Sequence, residues 1–123
     1  SGTHRKELRL WQDAGVSPTV HTDVGQGMGE ALTIASERDG YLLSDRGTYL
    51  ALSPNLHLDV LVEGDARLLN PYSVITVRGA RNARDADLLA DWLVSDAAAA
   101  LIRDFGSDRF GQPLFIPAVD TDG

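Results

Sequence analysis

The amino-acid sequence predicts an α/β layer architecture, a largely parallel sheet flanked by helices. Three observations carry that reading. Short runs rich in Val, Leu and Ile alternate with stretches of helical period along the 123 residues. Hydrophobic residues make up 43% of the chain, enough for a real core. Glycine, proline and Asn/Asp turn signals punctuate the runs at their ends.

Residues 3–14 form the first predicted helix. Thr3 stands at its N-cap position, Leu8 and Trp11 share a face, and Gly15 with Pro18 stops it. The alternation of Val20, Thr22 and Val24 predicts a strand. Gly25-Gln26-Gly27-Met28-Gly29 breaks that strand and opens a second helix, with Met28, Ala31, Leu32 and Ala35 along one side and Gly40 at its end. Tyr41 to Ser44 reads as a short strand closed by Asp45-Arg46-Gly47, and Thr48 to Leu52 as a brief helix ending at Ser53-Pro54. Asp59 to Glu63 and Tyr72 to Val77 are further strands, separated by Asn70-Pro71. Two helices come next, over 85–94 and 96–105. The first is expected to bury Leu88, Leu89, Trp92 and Leu93; the second starts at a Ser95 cap. Residues 106–113 are a loop, and Leu114 to Pro117 ends the ordered part. Trp11 and Trp92 fall on apolar stripes and are read as core residues.

Composition narrows the functions open to such a fold. The formal charge is −7, aspartate outnumbers glutamate, and Lys6 is the only lysine beside ten arginines. Nucleic acid is not an expected partner, since it calls for basic stripes. Without cysteine there is no disulfide, thiolate metal site or cysteine nucleophile. No run of 18 apolar residues suggests a membrane span. The chain opens directly inside a motif, Ser1-Gly2-Thr3-His4, and so reads as cut from something longer; the lack of a signal peptide then says nothing about compartment.

Three places carry chemistry. Ser1-Gly2-Thr3-His4 puts hydroxyls and a glycine at a helix start, where unpaired N–H groups and the helix dipole favour an anion. The glycines at 25, 27 and 29 match neither the dinucleotide fingerprint nor a P-loop. They fit either a loop offering bare N–H groups to an anion or a tight strand-to-helix turn. Arg46 could present its planar fork to an oxyanion, oriented by Asp45, or form with that aspartate a surface Asp–Arg pair of little worth. His4, His21 and His57 are scattered. Spacing pairs His21 with Asp23 and His57 with Asp59 but supplies no third ligand, so no metal site is expected. Nor is an enzyme: no Gly-x-Ser-x-Gly elbow appears, and no carboxylate pair stands out.

Taken in order, Ser1-Gly2-Thr3-His4-Arg5-Lys6-Glu7 with Leu10-Trp11, Gly25-Gln26-Gly27-Met28-Gly29, Ser44-Asp45-Arg46-Gly47-Thr48-Tyr49-Leu50, Val62-Glu63-Gly64-Asp65 and Asn70-Pro71-Tyr72 resemble one family. It is the tungstate-binding proteins of ABC importers, in the type II periplasmic binding protein superfamily, and the likeness runs to about Pro117. The resemblance implies two α/β lobes around a cleft that holds a tetrahedral oxyanion. It makes residues 1–70 mainly the second lobe, and 71–123 the return crossing and closing helices that pack on the first lobe. The family's amino-terminal half is absent, with its Thr/Ser-rich anion loop and the Arg-Gly-Asp stretch before Ser-Gly-Thr-His, so the chain carries at most part of a site. The implied ligand is tungstate or molybdate, with no cofactor. Its implied donors are Ser1, Thr3, the backbone of Gly27 and Met28, and Arg46. The implied partner is a membrane permease, and the implied location periplasmic or extracellular. The alternative is an oxyanion sensor in the cytoplasm, the same fold joined to an upstream DNA-binding module. With a lobe missing, the strand at 72–77 and the helix at 85–94 are expected to expose apolar surface, covered in a homodimer or swapped dimer.

Overall fold

The computed structural model describes residues 2–118. Six α-helices succeed one another: α1 (Gly2–Ala14), α2 (Met28–Glu37), α3 (Arg46–Leu52), α4 (Ala83–Leu93), α5 (Asp96–Asp104) and α6 (Ser107–Phe110), with short 3-10 turns at Ser53–Asn55 and Ala66–Leu68. They fall into two units, Ser1–Asn70 and Pro71–Gly123.

In the first unit α1 ends as its glycine predicts. Gly15 takes φ +63°, its N–H donates to the Gln12 carbonyl at 3.0 Å, and the Val16 N–H reaches back to Trp11 at 3.1 Å. These are the two bonds of a Schellman cap, and they satisfy carbonyls that the helix would otherwise strand. Trp11 is half-buried on α1, with its indole Nε1 buried and lacking a hydrogen-bond partner among the described residues. The stripe predicted on α2 is real: Ala31 and Leu32 are buried, and Met28 and Ala35 half-buried, where α2 packs on α3. α2 stops one residue earlier than expected. Asp39, not Gly40, takes the left-handed turn at φ +51°, and the Gly40 N–H bonds to the Ala35 carbonyl at 2.8 Å. A short polar side chain tolerates that conformation better than most.

α3 starts at Arg46, two residues before its predicted start, because Asp45 is its N-cap. The Asp45 carboxylate accepts from the Thr48 N–H at 2.8 Å and from the Thr48 hydroxyl at 2.9 Å. The segment after α3 is tied down by side chains. The His57 N–H donates to Ser36 Oγ at 2.7 Å, and the Tyr49 hydroxyl to the Leu58 carbonyl at 3.0 Å. Asp65 then opens the second 3-10 turn, accepting from the Arg67 N–H at 2.8 Å and from its guanidinium at 2.6 and 2.9 Å.

The second unit is built on the α4–α5 hairpin. Ser95 works at both ends of its turn, as the sequence predicts for its cap: its hydroxyl donates to the Trp92 carbonyl at 2.6 Å and accepts from the Ala98 N–H at 3.3 Å. Ala98 and Ala99 are buried. α6 lies within the predicted loop, bracketed by Gly106 at φ +89° and Gly111 at φ +70°. That double turn brings Leu114 back to donate its N–H to the Phe105 carbonyl at 3.1 Å. Phe115 then meets Phe105 at 6.2 Å and Tyr72 edge-on at 6.0 Å.

One expected feature is not seen among the described residues, and one expected burial is corrected. The parallel sheet is not formed among the described residues: the segments around Val20–Val24, Tyr41–Ser44, Asp59–Glu63 and Tyr72–Val77 carry no strand. The reason is partnership, since a strand satisfies its backbone only through a neighbour. Ile75 is accordingly 82% exposed and Val20 86%. Leu88, Leu89 and Trp92 are also exposed, Trp92 at 47%. α5 presents alanine methyls to α4, too small to cover two leucines and an indole. Leu61, Val62 and Val77 are likewise exposed, so much apolar surface stays in water.

Two measurements test this description. A Cβ at Gly106 would lie 2.7 Å from Leu114 Cγ in a backbone conformation that L-residues avoid. Gly106→Ala should therefore cost roughly 2–4 kcal/mol of stability, seen as a lower urea midpoint. Hydrogen bonds from the Arg67 guanidinium, then from its backbone N–H, hold Asp65 down at about 2 from an ordinary 3.8. A depressed carboxylate contributes stability above its unfolded pKa and loses it as pH falls through the folded one, here between about 4 and 2. In an NMR titration Arg67→Ala should move the Asp65 midpoint back up; an unchanged midpoint would contradict the pairing.

Candidate functional site

The residues expected to touch an anion lie at helix starts in the first unit. Ser1 lies outside the described residues. Thr3 is already inside α1, which begins at Gly2, so it occupies the first turn instead of capping it. That turn contains no acidic residue, and the positive end of the α1 dipole meets its first carboxylate at Glu7, one turn further on.

The three glycines before and within α2 divide the two readings left open by the sequence. Gly25 serves the turn: it sits at φ +61°, and its N–H is held by Asp23 Oδ1 at 3.0 Å. Asp23 is thereby engaged locally and does not join His21. Gly27 serves the helix start. It is the N-cap of α2, extended at φ −69° and ψ 171°, and as a glycine it offers the first-turn N–H groups no side-chain cap. Gly29 needs neither freedom; a Cβ there would meet Leu52 Cδ1 at an ordinary 3.5 Å. One acidic group does approach. Glu30, in the first turn, folds back so that its Oε2 lies 2.9 Å from where a Cβ on Gly27 would be.

Arg46 departs from its expected setting. Asp45 does not orient it, being occupied by Thr48, and the Arg46 Nη2 instead meets Glu63 Oε2 at 3.2 Å. The Gly29–Leu52 contact puts the start of α2 beside the end of α3. Arg46 begins that seven-residue helix, about 9 Å further along. Gly27 and Met28 thus adjoin at the start of α2, while Arg46 begins a neighbouring helix.

The histidines are less scattered than their spacing suggests. His4 Nδ1 lies 3.7 Å from Glu7 Oε2, and His21 Nε2 lies 3.9 Å from Glu7 Oε1. The two imidazole rings are 6.1 Å apart. Sequence reasoning misses this group because His21 reaches Glu7 only after the chain has turned at Gly15. His57 stands apart, with its backbone N–H on Ser36.

Comparison with known proteins bears on what the helix starts hold. A model of the PBP superfamily domain matches residues 1–97. The tungstate-binding protein TupA of Peptoclostridium acidaminophilum is 42% identical, over 95% of this chain and 43% of its own length. A Haloferax volcanii protein assigned as an ABC transporter anion-binding protein is 38% identical, over 95% of this chain and 37% of its own. A conserved Vibrio parahaemolyticus protein of unknown function, known from its crystal structure, superposes with a TM-score of 0.56 at 43% identity, over 85% of this chain and 48% of that one. The chain spans less than half the length of these relatives.

Proposed function

The chain belongs to the PBP superfamily, and from that premise we propose that it is part of the solute-binding component of an ABC importer. Its ligand would be a tetrahedral oxyanion, tungstate or molybdate, held in a cleft between two lobes. The observation that carries this reading is the start of α2, where Gly27 leaves first-turn N–H groups without a side-chain cap. Tungstate and molybdate are dianions at neutral pH whose oxygens only accept hydrogen bonds. Backbone N–H groups and hydroxyls replace their hydration and stabilise their charge. Gly27 and Met28 would donate from α2, and Ser1 and Thr3 from the start of α1. Arg46 would contribute charge by exchanging Glu63 for the ligand. Glu30 would have to swing away, since a carboxylate and a dianion repel each other at one helix start. The role is binding and delivery, with no bond made or broken. Its partner would be the permease, and its place the periplasm or the outer face of the cell.

In this reading residues 1–70 are mainly the second lobe and 71–123 the return crossing and closing helices. The division of the chain after Asn70 supports that assignment. The β-rich segments at 41–44, 59–63 and 72–77 would enter the expected parallel sheet when the rest of the fold supplies neighbours, covering that exposed apolar surface. The 123-residue chain alone should pair with itself through the apolar residues of 72–77 and α4. Light scattering should then find a dimer, and a monomer would contradict it.

Titration calorimetry on the full-length protein, with tungstate, molybdate, sulfate and phosphate, tests the function itself. Saturable binding of tungstate or molybdate is expected; no heat with any of the four would sink the proposal. Glu30→Gln removes the competing charge and should tighten oxyanion binding, by up to about tenfold for an exposed group near the site.

A further inference from the structure

We propose that His4, Glu7 and His21 form a binding site for one divalent transition-metal ion, zinc being the best match to the donor set. The three side chains offer two imidazole nitrogens and a carboxylate oxygen, all within 4.8 Å of one another. Around a zinc ion with bonds of about 2.0–2.2 Å, tetrahedral ligand atoms stand about 3.4 Å apart. Closing the widest gap therefore needs a movement of about 1.4 Å shared among three side chains. None of them is buried, and His21 sits on a segment without regular structure that can follow.

The placement is not a chance cluster on one helix turn. His4 and Glu7 share a face of α1 at spacing i, i+3, and His21 is delivered to that face after the Schellman turn at Gly15. The donors choose the metal. Imidazole nitrogens suit zinc and its neighbours, whereas magnesium and calcium take oxygen ligands. Three protein ligands leave a fourth position for water. The dipole at this end of α1 opposes a cation, and the Glu7 carboxylate offsets it. An ion here would fasten the segment 16–27 to α1, and with it the approach to Gly25 and Gly27. Its ligands are side chains other than the oxyanion donors proposed above, though His4 follows Thr3 directly, and the site stands whether or not those donors hold.

The test uses the full-length protein without a histidine tag, stripped with a chelator and titrated with zinc chloride by calorimetry, then with cobalt chloride by visible absorption. One ion should bind with micromolar or tighter affinity, and cobalt should give a ligand-field band of a nitrogen/oxygen site. His21→Ala should weaken binding at least about tenfold and abolish the band, with the circular dichroism unchanged. Glu7→Gln, which keeps the side-chain shape, should weaken binding comparably, so the result does not depend on one variant folding. His57→Ala should bind as the parent does. No saturable uptake at millimolar zinc would overturn the proposal. So would parent-like affinity in both the His21→Ala and Glu7→Gln variants, or a loss that tracks His57.

Discussion

Backbone polar groups need partners, and that constraint decides which parts of this chain hold regular structure. A helix finds nearly all of its partners within its own stretch of sequence, leaving only its ends to be settled. Here the ends are settled locally: Gly15 and Asp39 turn the chain after α1 and α2, while Asp45, Asp65 and Ser95 cap α3, the second 3-10 turn and α5. A strand has no such independence. The segments rich in Val, Leu and Ile lie between completed helices, and without neighbours their side chains stay in water. The same rule explains the small core. Buried apolar residues cluster where helix meets helix, at Ala31 and Leu32 and at Ala98 and Ala99, because helices are the only partners on hand among the described residues.

How much is legible in the sequence depends on the range of the interactions involved. Gly15 after a periodic run and Ser95 before the alanines act over three to five residues, and their roles can be read directly. The α2 stripe is legible for the same reason. Asp45 is harder to read because two local options compete for it, Arg46 beside it and Thr48 three residues on. The helix cap wins, as a carboxylate reaching a first-turn N–H is well placed both for hydrogen bonding and for the dipole. Leu88, Leu89 and Trp92 show the opposite limit. Their periodicity states that the face is meant to be covered, but not what covers it. In the candidate site the helix start at Gly27–Met28 can be read, whereas the Arg46–Glu63 pair, 17 residues apart, and the approach of His21 to Glu7 depend on the folded chain.

Charge around the helix starts is arranged in opposing pairs. The start of α2 attracts an anion, and Glu30 from the same turn bends towards it. Arg46 is cationic, and Glu63 answers it at 3.2 Å. If the proposed ligand binds here, these carboxylates would have to be displaced from the cationic groups they approach.

The two left-handed glycines around α6 also bear on the order in which the chain acquires its shape. They bring Leu114 back to Phe105 across nine residues, while the α4–α5 turn closes over even fewer. Loops this short close quickly and at small entropic cost, so this hairpin is a natural early nucleus. The edge-on meeting of Tyr72 with Phe115, by contrast, spans a long stretch of sequence. The helical end of the chain can therefore assemble first and hold one aromatic anchor in place, against which the pairing proposed for the 72–77 segment would be registered.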